Sequence, residues 1–321
     1  MDRPEIARSI FLVGPTASGK SAAGIVVAEA AGAEIISLDS MQLWRGMDIG
    51  TAKPSAAERA RVPHHLIDVL DPSESYSVGR YVEAASRSAA DILARGRLPL
   101  FVGGTALYLK ALTAGFFEGP PADWALRRRL REAAAAQGPE HLHRRLREID
   151  PAAADRIHPN DLRRIIRAIE VYEKTGTPIS CLQRQWTDAR PDDSPPIIGL
   201  DRDRADLYER IDRRVDQMMA EGLPDEVRRL LERPAGPPAG PGLEASQALG
   251  YKELIAHLRG ELGLAEAVEL IKRNSRRFAK RQLTWFRAFP QMIWVRVERE
   301  DPPEAVAGKV LEALRGRPGA C

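Results

Sequence analysis

The chain has 321 residues, 44% of them hydrophobic and 29% charged, the balance of a soluble, folded protein rather than a disordered one. Its formal net charge is only +3, so bulk charge does not announce a nucleic-acid partner, and any such partner has to be argued from where the charges fall. The length allows one large α/β domain and a smaller one, each with its own core.

In chain order, residues 10–13 (IFLV) read as a short strand that runs into a glycine-rich turn, and residues 21–31 as an alanine-rich helix. Residues 33–40 (AEIISLDS) are the next apolar strand, ending in polar Asp39 and Ser40. Residues 41–78 read mostly as loop, broken by Pro54, Pro63 and Pro72. An amphipathic helix over 79–96 stops at Gly96, and 98–105 (LPLFVGGT) is a buried-strand run closing on two glycines. This alternation predicts a doubly wound parallel sheet over residues 1–120, and the turn GPTASGKS (14–21) between its first strand and helix marks the core as P-loop NTPase-like.

Past Phe117 the β runs stop, and 118–123 (EGPPAD) reads as a linker. Residues 121–190 are expected to form an all-helical insertion. In its last clear helix Leu162, Ile165, Ile166, Ile169 and Tyr172 share one face, with Asp161 as N-cap and Gly176 as stop. His141 and His143 fall on a surface-like helix. The core resumes over 191–321 with the strand IIGL, a helix from Arg204, a Pro/Gly loop over 233–246, a long helix over 267–289 and a final strand over 292–297.

Two cysteines, Cys181 and Cys321, predict no structural disulfide and suit a reducing cytoplasm. No leader-like or membrane-spanning apolar run is seen. His64 and His65 lack a third ligand at metal spacing and are not expected to hold a metal.

The chemistry begins at Gly14-Pro15-Thr16-Ala17-Ser18-Gly19-Lys20-Ser21, which fits G-x-x-x-x-G-K-[ST]. Backbone N–H groups of such a loop, and the helix that follows, cradle phosphate oxygens; Lys20 adds a cation, and the Ser21 hydroxyl is the expected magnesium ligand. The usual magnesium-holding acid at the end of a later strand is missing, because that strand ends in Gly103-Gly104-Thr105. An acid stands instead at Asp39, at the carboxyl end of its strand. From the residues alone Asp39 is a magnesium partner, a base aimed at a substrate, or the cap of a turn. From Leu270 to Val297 there is no acidic residue, and Arg273, Arg277, Lys280, Thr284 and Arg287 fall on one side of the predicted helix, with Ile271, Phe278 and Trp285 on another. Unbalanced Lys/Arg lines attract phosphates. The insertion adds Arg127, Arg128, Arg129, Arg144, Arg145, Arg163, Arg164 and Arg167. Two basic surfaces flanking one P-loop pocket suit a polyanion gripped from both sides.

With GPTASGKS (14–21), LDSMQ (38–42), MDIGTAKP (47–54), PHHLID (63–68), VGGTALY (102–108), HPND (158–161), RAIE (167–170), GYKE (250–253) and AKRQLTWFR (279–287) in this order, the sequence resembles the bacterial tRNA dimethylallyltransferases, also called tRNA isopentenyltransferases. The resemblance covers nearly the whole chain. It implies that the loop Gly14–Ser21 holds the diphosphate of dimethylallyl diphosphate, with Mg²⁺ on Ser21, and that N6 of adenosine 37 in tRNAs reading codons that begin with U attacks the allylic carbon. Asp39 would be the general base. Lys20 with Arg210, Arg214 or both would receive the leaving diphosphate, and Thr105 would orient the acceptor or a phosphate oxygen. The resemblance further implies tRNA contacts from Asp39, Ser40, Met41, Gln42 and Thr105, and from Asp123, Arg163, Arg164, Ile165, Ile166 and Arg167. Others would come from Gln247, Ala248, Leu249, Gly250, Tyr251 and Lys252, and from Lys280, Arg281, Gln282, Thr284, Trp285 and Arg287. Among these Gln42 and Ser40 are expected to address base edges, while Trp285, on the apolar stripe, is expected in the core. No membrane partner is expected, and one chain is expected to suffice.

Three rivals share some of these features: a small-molecule P-loop kinase, an isopentenyltransferase acting on free adenylates, and a non-enzymatic RNA-binding protein. The missing acid after LPLFV opposes the first. The basic helices oppose the second, and the P-loop with Asp39 and Thr105 opposes the third.

Overall fold

A computed structural model describes residues 3–115, 117, 119–183, 194–232 and 242–316. Most of the Pro/Gly loop and Cys321 lie outside the described residues. The chain divides into two compact units, Met1–Thr113 with Pro191–Cys321, and Ala114–Arg190. The division falls before the expected residue 121, because Phe117 already packs on the helical unit's core.

The larger unit is built on six parallel strands: β1 (Ile10–Val13), β2 (Ala33–Leu38), β3 (His64–His65), β4 (Leu98–Gly103), β5 (Ile197–Arg202) and β6 (Met292–Val297). Their order is β3-β2-β4-β1-β5-β6. β1, β2, β4 and β5 are almost wholly buried, which is why they read as continuous apolar runs rather than alternating ones. The chain builds β2 to β4 on one side of β1 and β5 and β6 on the other. The carboxyl end of β1 is therefore the switch point where ligands of open α/β sheets bind.

The helices Lys20–Ala31 and Pro303–Arg315 share one apolar cluster with the sheet, in which Leu12, Val27, Leu100, Ile198 and Val310 are buried. The helices Val78–Ala94 and Ala106–Thr113 meet through Tyr81 and Tyr108, whose rings stack 3.7 Å apart, and the Tyr81 hydroxyl donates to Ser37 O at 2.9 Å. Four elements depart from the sequence expectation. The stretch expected as loop contains the helix Ala56–Arg61, held by a capping box between Ser55 and Glu58, and the two-residue β3. The helix Pro303–Arg315 follows β6, and Leu243–Ser246 is a helical turn rather than loop.

The smaller unit holds the helices Trp124–Gln137, Pro139–Ile149, Pro151–Arg156, Leu162–Thr175 and Ile179–Leu182 around Leu126, Leu130, Leu146, Ile165 and Ile169. Glu170 is fully enclosed there. It accepts from Arg127 through both oxygens (2.9 and 2.8 Å), from Arg167 (2.6 Å) and from the Asp123 N–H (2.7 Å). Burial alone would raise its carboxyl pKa, but these hydrogen bonds outweigh it and hold the group below the usual carboxylate range. His143 is not on a surface; it is buried, with its Nε2 within 3.1 Å of Ala154 O and 3.0 Å of Ile157 O.

Candidate active site

At the carboxyl end of β1 the loop turns back on itself. Ala17 sits at φ 63 and Gly19 at φ 97, a left-handed conformation that is strained for the alanine. Lys20 Nζ donates to Pro15 O at 3.2 Å, and Arg210 Nε donates to Ala17 O at 3.0 Å. Ala17, Gly19, Lys20, Ser21, Arg210 and Arg214 line a cavity of about 320 Å³, together with Ala22, Arg213 and Gln217. No lining residue is acidic. Burial, then the nearby Arg214, lowers the Lys20 pKa to about 8, with Asp39 acting in the opposite direction. Burial also pulls Arg210 and Arg214 below the ordinary arginine range. Such a cavity is a standing excess of positive charge, and an anion relieves it. Ser18 contributes no hydroxyl contact: its Oγ is enclosed, with no hydrogen-bond partner among the described residues.

A second cavity, of about 330 Å³, adjoins the first through Arg214, which lines both. It brings together Thr16, Asp39, Ser40, Met41, Thr105, Gln247, Ala248, Leu249, Gly250, Lys252, Arg281 and Gln282, all expected as site residues. β2 and β4 deliver its chemistry. Asp39 Oδ1 accepts from the Met41 N–H at 2.8 Å, and Oδ2 has no hydrogen-bond partner among the described residues. Thr105 Oγ1 accepts from the Ser40 N–H at 3.1 Å, so its own proton is available to a ligand. The two strand ends approach this closely because Gly103 has no side chain; a Cβ there would run into the Leu38 carbonyl.

Other expected site residues are engaged elsewhere. Gln42 is bonded within the protein: its Oε1 accepts from Ser37 Oγ (2.9 Å) and its Nε2 donates to Thr51 O (3.4 Å) and Ala52 O (3.3 Å). Tyr251 is buried and gives its hydroxyl proton to Glu226 at 2.6 Å. Gln282, itself in the cavity wall, uses both ends of its amide there, accepting from the Thr16 N–H (2.9 Å) and donating to Gly104 O (2.8 Å), and so ties the P-loop to the end of β4. Ile165 and Ile166 are buried in the helical core, and Arg167 is held by Glu170 and by Pro120 O at 3.0 Å. Asp123 caps its helix through the Leu126 N–H at 3.0 Å. Arg163 and Arg164 are exposed. Trp285 is 39% exposed, not in the core, and lines a shallow basic depression with Arg277, Lys280, Arg281 and Thr284. Arg287 is exposed beyond it. Of the long basic run, Lys272 pairs with Asp216 (2.7 Å) and Arg276 with Asp212.

Sequence reasoning missed the apolar half of the second cavity: Ile211, Val215 and Met218 on the helix that carries Arg210 and Arg214, with Leu223, Ile271 and Phe278. The i, i+4 spacing of Ile211 and Val215, each one residue past an arginine, is the signal that points to it. It also missed Glu226, buried beneath the loop 48–50.

Fold and cavities together define a P-loop protein of the group-transfer class, with an anion cradle opening onto a carboxylate-bearing, half-apolar chamber. The IPP transferase family model matches residues 42–289, and an isopentenyl transferase model matches residues 8–67. A protein from Symbiobacterium thermophilum, named tRNA dimethylallyltransferase, is 52% identical over 308 residues, covering 95% of this chain and 94% of its own. One of the same name from Thermotoga maritima is 49% identical over 302 residues, covering 94% and 95%. The tRNA isopentenylpyrophosphate transferase structure from Bacillus halodurans superposes with TM-score 0.66 at 43% identity, covering 96% of this chain and 98% of its own. A eukaryotic dimethylallyltransferase, described as acting on tRNA, superposes with TM-score 0.78 at 28% identity, covering 96% and 78%. The chain belongs to the IPP transferase family. Among the described residues no helix is long and apolar enough to cross a membrane.

Proposed function

We propose that the protein transfers the dimethylallyl group of dimethylallyl diphosphate to N6 of adenosine 37 in tRNAs reading codons that begin with U, giving N6-(dimethylallyl)adenosine and diphosphate. The observation that carries this reading is the pair of cavities that share Arg214, one whose charged lining residues are all cationic and one holding Asp39 and an apolar wall. The diphosphate lies in the first, and the allyl chain and the adenine meet in the second. As N6 bonds to the allylic carbon, the bond from that carbon to the diphosphate oxygen breaks. Asp39 takes the proton from N6, a step that contributes about 10²–10⁴-fold in comparable systems. Lys20, Arg210, Arg214 and the N–H groups at the start of the helix Lys20–Ala31 receive the charge that gathers on the leaving group. The Thr105 hydroxyl donates to the acceptor or to a phosphate oxygen.

The donor set also suits magnesium. Ser21 lines the cationic cavity, its hydroxyl is the P-loop's own magnesium ligand, and magnesium keeps several waters and takes substrate phosphates as its other partners. Ser21 would hold the ion, which when bound neutralises diphosphate charge.

Adenosine 37 has to leave its stack to reach Asp39, at a cost of a few kcal/mol. Arg277, Lys280, Arg281 and the exposed face of Trp285 offer phosphate contacts and a stacking surface for the displaced loop. Arg163 and Arg164 on the helical unit supply further phosphate contacts. One chain carries both cavities, so a monomer suffices, and the reducing cytoplasm is where this substrate is met.

The test is a transfer assay with purified protein, Mg²⁺ and labelled dimethylallyl diphosphate. The acceptors are an unmodified tRNA with A36-A37-A38, AMP, and ATP alone. Label in the tRNA, lost when A37 becomes G, supports the reading. Label in AMP moves the protein to the free-adenylate branch. ATP hydrolysis without transfer reopens the kinase reading.

A further inference from the structure

The stretch DIGTAKP is not used by the chemistry above, yet three of its residues, Gly50, Thr51 and Ala52, form part of the wall of the cavity that holds Asp39. Its backbone is fixed from beneath by one side chain. Glu226, buried in the helix Leu223–Glu232, accepts from the N–H groups of Asp48 (3.0 Å), Ile49 (2.9 Å) and Gly50 (3.3 Å), and from the Tyr251 hydroxyl (2.6 Å). Three successive amides converging on one carboxylate make a concave anion nest, occupied here by the protein's own acid. Gly50 lies so close to the Tyr251 ring that a Cβ would stand 2.5 Å from its Cε2. From above, Gln42 Nε2 holds Thr51 O and Ala52 O, and Gln42 is three residues from Asp39. Ala52 is held at φ 48, a left-handed conformation that persists only where its surroundings enforce it.

Resting on the transfer reaction proposed above, we infer that Glu226 is a positioning residue, whose carboxylate sets the 50–52 wall and, through Gln42, the turn that presents Asp39. It touches no substrate. Glutamine cannot replace it, because both oxygens of Glu226 accept from donors, and an amide NH₂ at either place would face one of them. The anion cradle draws on other residues, so diphosphate binding is independent of Glu226.

The experiment compares the wild type, Glu226→Gln and Val310→Ala, the last removing buried volume from the helix Pro303–Arg315 as a control for lost stability. In Glu226→Gln, kcat for tRNA is expected to fall about ten- to a hundredfold, as for a displaced catalytic group. KM for tRNA, set mainly by phosphate contacts, and the Kd of inorganic diphosphate are expected to hold. Amide exchange over 48–52 is expected to accelerate, while exchange over 14–21 does not. Unchanged exchange over 48–52 overturns the inference whatever the reaction is. So does an equal loss of kcat in a Val310→Ala protein with the same fall in Tm, which would assign the effect to stability. A wild type without transfer sinks the functional reading itself, and this is seen before any variant is compared.

Discussion

Replacing Lys20 by methionine is expected to make the folded protein more stable while destroying its anion site. Lys20 is buried among arginines, and its pKa falls from the ordinary 10.5 to about 8. A shift of that size corresponds to about 3 kcal/mol by which the folded state disfavours the charged amine at pH 7. Methionine keeps the length of the side chain and removes that cost, but it leaves Pro15 O without its donor, a loss of about 1 kcal/mol. The net gain is about 2 kcal/mol. The sign of its pH dependence follows from proton counting. Between pH 8 and 10.5 the unfolded chain keeps the Lys20 proton and the folded protein has released it, so the wild type gains stability as pH rises. The cost of the charged lysine therefore shrinks from about 3 kcal/mol at pH 7 to about 1 kcal/mol at pH 9.5. Urea unfolding of both proteins at these two pH values, without ligand, measures it. The buried tyrosines Tyr81, Tyr108 and Tyr251, whose pKa values are all raised, cancel in the difference. A variant less stable than the wild type at pH 7, or an advantage equal at both pH values, would refute the reasoning.

Asp39→Asn keeps the oxygen that accepts from the Met41 N–H, so tRNA affinity should survive while turnover drops about 10²–10⁴-fold. A parallel loss of tRNA binding would make Asp39 a recognition residue instead. Arg163→Ala is expected to weaken tRNA binding uniformly across sequences and to reduce the salt slope of log Kd by about one, with the diphosphate Kd unmoved. An unchanged slope removes Arg163 from the phosphate contacts. Gly103→Ala forces β2 and β4 apart where Leu38 faces it, and denaturant unfolding should show a loss of about 1–3 kcal/mol. Wild-type stability with full activity would mean that the strand ends need not meet so closely.

The parts legible in the sequence are those whose signal is local. Strands buried on both faces, such as Ile10–Val13 and Leu98–Gly103, announce themselves as apolar runs ending in glycine. The P-loop is a contiguous motif. The Ser55–Glu58 capping box was equally local, but it lies in a stretch crowded with prolines that argued for loop. Trp285 was misplaced for a geometric reason: it stands two heptads beyond Ile271, and a straight helix drifts about 20° per heptad, which carries it off the buried stripe. The residue that fills the stripe there, Gln282, is polar and counts as surface in any pattern of hydrophobicity. Charge was least legible of all. Arg167 and Arg276 look like free cations in the sequence, but folding places Glu170 and Asp212 against them. What a polar side chain does depends on partners that only the fold supplies. That is why the hydrogen bonds of Gln42, Gln282 and Tyr251 within the protein have no signal in the sequence.

The Gln282 bridge also bears on how the molecule is made. Thr16 and Gln282 are separated by 266 positions, so the phosphate loop receives its last hydrogen bond from a segment synthesised near the end of the chain. At about 5–20 residues per second, the nascent loop waits roughly 15 to 50 seconds for that partner. For most of this interval β5, which pairs with β1, and the arginines at 210 and 214 have yet to be added. The growing chain therefore carries the P-loop sequence long before it carries the cationic cavity around it, and on the function proposed above the capture of a diphosphate waits for the completed fold.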